Sequence, residues 1–332
     1  MGAAAIKLLI LGGSVFLGRH IVEQALAAGH EVTLFNRGQT NSDLFAGEVD
    51  KIHGDRASDL GKLKGKTFDA CIDPSGYLPA QLDTAGKVLG DQVDRYVFIS
   101  SISVYPEFTA PNMDEHSPLS QLPDGVADTV YDQQYYGAFK VLCEQAIEAQ
   151  MPGRVLQVRS GLIVGPYDPT NRFTYWPVRL AKGGEVLCPE SPSFPVQIIH
   201  AADQARWILH MLETDQMGTF NVTSDNGTYT MGDLVTAAET VTGADIRPVY
   251  ASSEFLLDNK VAPWMELPLW LPDDYINMSR TSASKAVAAG LELMPLTEVI
   301  RSTLEWYNSI PEQKWPAGLA PEKEQQLLKL LK

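Results

Sequence analysis

Near its start the chain runs Ile6-Lys7-Leu8-Leu9-Ile10-Leu11 straight into Gly12-Gly13-Ser14. It continues from Phe16 to Ala28 with apolar residues at Leu17, Ile21, Val22, Ala25 and Leu26. The first run has the near-continuous apolar character of a strand buried on both faces. The second has the period of a helix, and Gly29 ends it. Glu31 to Phe35 reads as another strand. Strand, glycine turn, helix and strand make a βαβ unit, which commits the chain to parallel strands joined by a crossover.

The alternation continues. Lys51–His53, Phe68–Ile72, Arg95–Ser100 and Val155–Arg159 read as strands. Leu78–Leu89 and Tyr136–Gln150 read as helices, the latter ended by Pro152-Gly153. Repeated β-α order predicts an α/β fold, a Rossmann doubly wound parallel sheet. Beyond about Gly161 prolines and aromatics crowd the sequence. The stretch Tyr250–Asn277 shows no clear period, and helical patterns return at Leu296–Tyr307 and Pro321–Leu331. A chain of 332 residues exceeds what one core usually supports. The expected division is a dinucleotide-binding domain over 1–165 and a smaller, mainly substrate-binding lobe over 166–332, with segments around 196–222 returning to the first core.

Gly12, Gly13, Ser14, Val15, Phe16, Leu17 and Gly18 span the turn between the first strand and the helix. Backbone N–H groups at such a helix start hold a pyrophosphate, and glycines let it come close. The spacing is G-x-x-G-x-x-G with Val15 in place of the middle glycine. Its side chain must therefore point away from the phosphates. About 20 residues on, where an NAD site usually carries an acid, stand Asn36 and Arg37. An arginine suits a 2′-phosphate, so NADP(H) is favoured over NAD(H). Asp55 is a candidate for the adenine amino group, with a helix N-cap as the alternative, and Arg56 beside it is a further cofactor candidate. Pro74, Ser75 and Gly76, after the Phe68–Ile72 strand, are further cofactor candidates, as is Ser100.

Tyr136 and Lys140 are four residues apart on one predicted helix face. A neighbouring ammonium is expected to lower the phenol pKa and make it a usable acid/base. Tyr135 falls on a different face. Ser101 closes the preceding strand at its carboxyl end, where chemistry sits in open α/β sheets; Ser103 and Tyr77 are weaker substrate candidates. The segments Arg172–Trp176 and Trp264–Trp270 are expected to close over the substrate, with Arg172, Tyr175, Trp176 and Trp270 as its contacts.

Taken in order, the glycine loop, Ser100-Ser101, Tyr136-x-x-x-Lys140 and Arg159-Ser160-Gly161-Leu162-Ile163-Val164-Gly165-Pro166 resemble the extended short-chain dehydrogenases/reductases, in their epimerase/dehydratase branch. Ile198–Asp203 and the ending Gly290–Tyr307 fit the same branch. The resemblance implies a Ser101–Tyr136–Lys140 triad, a contact from Lys140 to the nicotinamide ribose, and Gly161, Leu162 and Ile163 lying along the nicotinamide. Val15 brings the loop closer to isoflavone-reductase-like and chloroplast stem-loop-binding relatives. The absence of arginine from Tyr250–Asn277 counts against a nucleotide-sugar substrate.

Other chemistries are disfavoured. A net charge of −15 repels polyanions, so no nucleic-acid partner is expected. Cys71, Cys143 and Cys188 form no C-x-x-C, which argues against a disulfide framework or zinc ribbon and for a reducing cytoplasm. The histidines form no H-x-x-x-H set, so no metal is expected, and His200 reads as structural. Gly65-Lys66-Thr67 lacks the upstream glycine of a phosphate loop. No G-x-S-x-G elbow occurs. The N-terminal apolar run is too short for a membrane span or a signal peptide. The expectation is a reductase or dehydrogenase acting on a small carbonyl or hydroxyl compound, possible as a homodimer. One alternative is an epimerase/dehydratase on a sugar-like substrate with the same triad; another is a non-catalytic dinucleotide-sensing or RNA-binding relative.

Overall fold

A computed structural model describes residues 5–106, 108, 110–311 and 315–332. In chain order its first half runs β1 (Lys7–Leu11), α1 (Phe16–Ala27), β2 (Glu31–Asn36), β3 (Asp50–His53), β4 (Phe68–Asp73), α2 (Pro79–Leu89), β5 (Val93–Ser101), α3 (Tyr136–Gln150), β6 (Val155–Ser160) and β7 (Leu162–Val164). The second half runs α4 (Tyr175–Ala181), β8 (Gly184–Pro189), β9 (Pro195–Val196), β10 (Ile198–His200), α5 (Ala201–Glu213), β11 (Gly218–Val222), β12 (Tyr229–Thr230), α6 (Met231–Thr242), β13 (Ile246–Ala251), α7 (Ser253–Asp258), α8 (Ser284–Ala288), α9 (Leu296–Ser309) and α10 (Pro321–Leu330).

Seven strands form one sheet in the order β11-β6-β5-β4-β1-β2-β3, and every pairing in it is parallel. Apolar β1 lies at its centre, with Leu8, Leu9 and Ile10 fully buried. The helices cover both faces. α1 and α5 pack on one through Ile21, Val22, Ala205 and Ile208. α2 and α3 pack on the other through Leu82, Leu89, Cys143 and Ile147. Strand order reverses between β1 and β4, and ligands in such sheets bind at the carboxyl ends beside that switch point.

A third core joins α4, α6, α9 and α10 with β8 through Trp176, Leu180, Leu234, Ile300 and Leu327. The intervening β10–α5–β11 segment returns to the main sheet: β11 is its edge strand and α5 contributes to the α1-side core. After the end of β13, the stretch without a clear period holds the short α7, an isolated bridge between Pro263 and Leu267 and a 3₁₀ run at Asp273–Arg280. Its prolines, at 263, 268 and 272, remove the N–H groups a regular element needs. Cys71 and Cys143 are buried in the α2–α3 core and Cys188 in the third. Burial pushes all three thiols up, Cys143 and Cys188 to about 12.

The structure corrects the expectation for three aromatics. Trp176 and Trp270 are fully buried, with indole N–H groups donating to the Pro268 carbonyl at 2.8 Å and the Ser253 hydroxyl at 3.1 Å. Tyr175 is buried beside Trp176, ring centroids 5.2 Å apart. A large apolar ring with one polar handle is stable in a core once that handle is bonded, so the two tryptophans organise the third core rather than meet a ligand. Trp176→Ala and Trp270→Ala are each expected to lose about 3–5 kcal/mol of stability in urea unfolding, while cofactor affinity per folded molecule is unchanged. Stability within experimental error of the parent would remove them from the core.

Candidate active site

The β1–α1 turn is built for close approach. Gly12 and Gly13 have φ of +126° and +87°, and a Cβ on Gly13 would stand 2.6 Å from the Leu34 side chain. Val15 precedes α1 without a side-chain cap, and the first turn of α1 carries no acid. The N–H groups there keep their capacity for an anion. Val15 is 47% exposed. Asn36, at the end of β2, braces this turn: its amide donates to the Gly12 carbonyl at 2.8 Å and accepts from the Gly38 N–H at 3.0 Å. Its side chain is therefore engaged by the protein itself. Arg37 beside it is exposed, with no ion-pair partner among the described residues.

Below the turn, Arg56 holds Asp73 with two bonds of 2.6 and 2.8 Å and reaches the Ser75 hydroxyl at 2.9 Å. Burial alone would pull the guanidinium down and push the carboxyl up. Each is overcome by its partner: Arg56 stays raised, and Asp73 falls below the usual carboxylate range. Tyr96 adds a 2.7 Å bond to the same carboxylate, and Ser75 ties the pair to the Leu11 carbonyl at 2.9 Å. Arg56 thus braces the floor of the cleft. Asp55 accepts from the Ala57 N–H at 2.8 Å within a turn, and the short helix that follows, Leu60–Leu63, has Asp59 at its N-cap position.

A cleft of about 1280 Å³ runs from this turn along the carboxyl ends of β1, β4, β5 and β6. Gly12 to Gly18, Asn36, Arg37, Asp55, Arg56, Pro74, Ser75, Ser100, Gly161, Leu162 and Ile163 line it. So do Ser101, Ser103, Tyr136, Lys140, Tyr77 and Arg172. Gly76 does not line it; its carbonyl accepts from Lys140 instead. Tyr175, Trp176 and Trp270 are also absent from its walls. The α4 and α7 segments still reach the cleft through other residues. Arg172, ahead of α4, lies 5.8 Å from the ring centroid of Trp264, and Trp264 and Met265, after α7, line the cleft with it. Tyr135 belongs to a separate 3₁₀ turn and does not line the cleft.

Lys140 is 3% exposed. Its ammonium donates to the Gly76 and Ile99 carbonyls at 2.8 and 2.9 Å and lies 5.9 Å from the Tyr136 ring centroid. Burial drags it down to about 8. The Tyr136 phenol is not lowered as expected. Burial pushes it up to about 12 and Tyr77 adds to that, while the Ser101 hydroxyl and the charge of Arg172 work the other way. With the ammonium turned to two carbonyls, desolvation decides the phenol's state, and Tyr136 keeps its proton at neutral pH. The Ser101 hydroxyl accepts from the Ser103 N–H at 3.1 Å.

Two supports were not read from the sequence. A Cβ on Gly137 would stand 1.8 Å from the Ser103 carbonyl oxygen, so glycine alone lets α3 lie against the Ser101–Ser103 turn. Behind that contact Glu144 accepts from Ser100 at 2.5 Å and pairs with Arg159 at 2.8 and 3.0 Å. Arg159 continues to Tyr105 at 3.1 Å, and Tyr105 to Asn221 at 2.7 Å. Tyr131, Gln133, Asp168, Thr170 and Met278 also line the cleft. They come from irregular segments whose fold no period announces. His200, which read as structural, accepts from the Ala202 N–H at 3.1 Å at the start of α5, and burial lowers it to about 3. Gly137→Ala is expected to cost about 1–3 kcal/mol or more in urea unfolding and to abolish turnover by displacing α3. Parental stability and activity in that variant would show that the close contact carries no weight.

Residues 82–223 match the model of the NAD dependent epimerase/dehydratase family; the glycine turn precedes that span. The chain is 25% identical over 238 residues to the chloroplast stem-loop binding protein of 41 kDa b from Arabidopsis thaliana, covering 66% of this chain and 59% of that protein's length. In fold it is similar to UDP-N-acetylglucosamine 4-epimerase from Bacillus cereus, with TM-score 0.66 and 16% identity over 94% of this chain and all of that one. It is similar as well to Bordetella bronchiseptica WbmG in complex with NAD, with TM-score 0.67 and 16% identity over 92% of this chain and 94% of that one. Among the described residues no helix is long and apolar enough to cross a membrane. By motif order and matched span the chain is similar to the NAD dependent epimerase/dehydratase family over residues 82–223, and it shares the fold of the epimerase structures.

Proposed function

We propose that the chain is an NAD(P)-dependent epimerase or dehydratase that works on a hydroxyl-bearing carbon with Ser101, Tyr136 and Lys140. The observation that carries this reading is one continuous cleft, with an uncapped glycine turn at one end and these three side chains at the other. The cofactor fits the residues present: Gly12 and Gly13 keep side chains out of the turn, the N–H groups at the uncapped start of α1 suit a pyrophosphate, and Gly161 to Ile163 form the wall at the Tyr136 end. When bound, NAD(P) supplies the hydride acceptor and donor.

The remaining work falls to this chain. The Ser101 hydroxyl orients the substrate oxygen beside Tyr136. The Tyr136 hydroxyl gives a proton to that oxygen as it becomes an alkoxide, and takes one from it in the reverse direction. Lys140 fixes the turn after β4 through Gly76 and the end of β5 through Ile99. The family match favours recycling of the hydride over the net reduction expected from motifs alone. A net reductase remains the second reading, because both use the same groups. The discriminating measurement is absorbance at the reduced-nicotinamide band during turnover. An epimerase or dehydratase leaves it unchanged after the first cycle; stoichiometric oxidation of added NAD(P)H would establish the reductase. The stem-loop-binding relative motivates one control, a salt-dependent gel shift with structured RNA, for which the charge of −15 predicts no complex.

Tyr136→Phe is expected to lower kcat by about 10²–10⁴-fold with little change in cofactor affinity, whereas Tyr135→Phe is mild; retained activity in Tyr136→Phe refutes the assignment. The preference for NADP(H) rests on Arg37, the free cation at the end of β2. Arg37→Ala is expected to weaken NADP(H) by about tenfold or more and NAD(H) far less, as read by titration calorimetry. Equal weakening would show that Arg37 does not face a 2′-phosphate.

A further inference from the structure

The cations of the cleft are unequally free. Four basic side chains line it: Arg37, Arg56, Lys140 and Arg172. Arg56 is spent on Asp73 and Ser75, and Lys140 on two backbone carbonyls. Arg37 lies at the end of β2, beside the glycine turn. On the Tyr136 side only Arg172 keeps donors to offer. Its Nε donates to the Thr170 hydroxyl at 3.2 Å, and its two terminal nitrogens have no partner among the described residues. The guanidinium is near enough to Tyr136 for each to bear on the other's ionisation, and Trp264 lies 5.8 Å away.

The same wall carries an acid. Asp168 is 1% exposed, and its Oδ1 is bonded to the N–H and hydroxyl of Thr170 at 2.8 and 2.7 Å. Its charge acts on Arg172, yet the two form no ion pair within 4.0 Å, so the guanidinium fork is left open. One free arginine beside one carboxyl group matches a single anionic group. It does not match a pyrophosphate, whose second phosphate would face Asp168 without a cation.

Resting on the reading above of Ser101 and Tyr136 as the reacting end, we infer that the substrate is a compact hydroxylated molecule with one anionic group, a carboxylate or a phosphate monoester, held by Arg172 beside Trp264, and not a nucleoside diphosphate sugar. A planar fork binds either group bidentately. The anion then fixes which hydroxyl is presented to Ser101 and Tyr136.

The test measures affinity by titration calorimetry on the cofactor-loaded protein, with four probes: glucuronate, glucose 6-phosphate, UDP-glucose and uncharged glucose. At least one of the first two is expected to bind about tenfold or more tighter than glucose, and to outbind UDP-glucose. Arg172→Gln is expected to erase that advantage without altering cofactor affinity; Arg172→Lys, which keeps charge without the fork, retains part of it and serves if the glutamine variant fails to fold. Which of the two charged probes wins distinguishes carboxylate from phosphate. The inference is overturned if UDP-glucose binds tightest, if neither singly anionic probe outbinds glucose, or if the advantage survives in Arg172→Gln. Because the readout needs no turnover, its failure is separable from failure of the Tyr136 assignment, which shows only in the kinetics of Tyr136→Phe.

Discussion

The buried ion pair between Glu144 and Arg159 holds the Tyr136 end of the cleft together. It joins α3 to β6, takes a third bond from Ser100 at the end of β5, and is almost wholly removed from water. Burying such a pair is not in itself a source of stability, since desolvation offsets most of the attraction. Its effect is geometric. A bidentate fork permits little sliding of α3 along the sheet, and α3 carries both Tyr136 and Lys140. Gly137 completes the seat by letting the helix meet the Ser103 carbonyl. The phenol, the ammonium and the Ser101 hydroxyl therefore share a cleft because of contacts one layer behind them.

Local pattern reached far in the first half of the chain. Strand boundaries from β1 to β6 and the limits of α1 and α3 could be read within about two residues, because a buried parallel strand and an amphipathic helix each leave a periodic trace. The glycine turn was legible for a related reason: only glycine tolerates the backbone angles that Gly12 and Gly13 adopt. What sequence left hidden were contacts between distant segments. Nothing local says that Arg56 faces Asp73 or that Glu144 faces Arg159. The state of Tyr136 was also misjudged, because spacing puts a lysine on the same helix face but cannot say that its ammonium turns toward Gly76 and Ile99.

The second half shows the opposite balance. Aromatic density there was read as a substrate wall, and for Trp176 and Trp270 the structure makes it a core. The same composition serves both ends, since an indole is a large apolar body with one donor; only the location of an acceptor decides. For Trp176 it is a carbonyl inside the lobe. Trp264, from the same crowded stretch, reaches the cleft instead.

The three cysteines have a use beyond packing. Each thiol is buried and held far from its reactive thiolate form, two in the core between α2, α3 and the sheet, and one in the core of the smaller lobe. A thiol in that state meets an alkylating reagent only when its surroundings open. Labelling at Cys188 therefore times the opening of the lobe, and labelling at Cys71 and Cys143 times that of the sheet. The chain carries its own pair of clocks for asking whether its two halves come apart together or in turn.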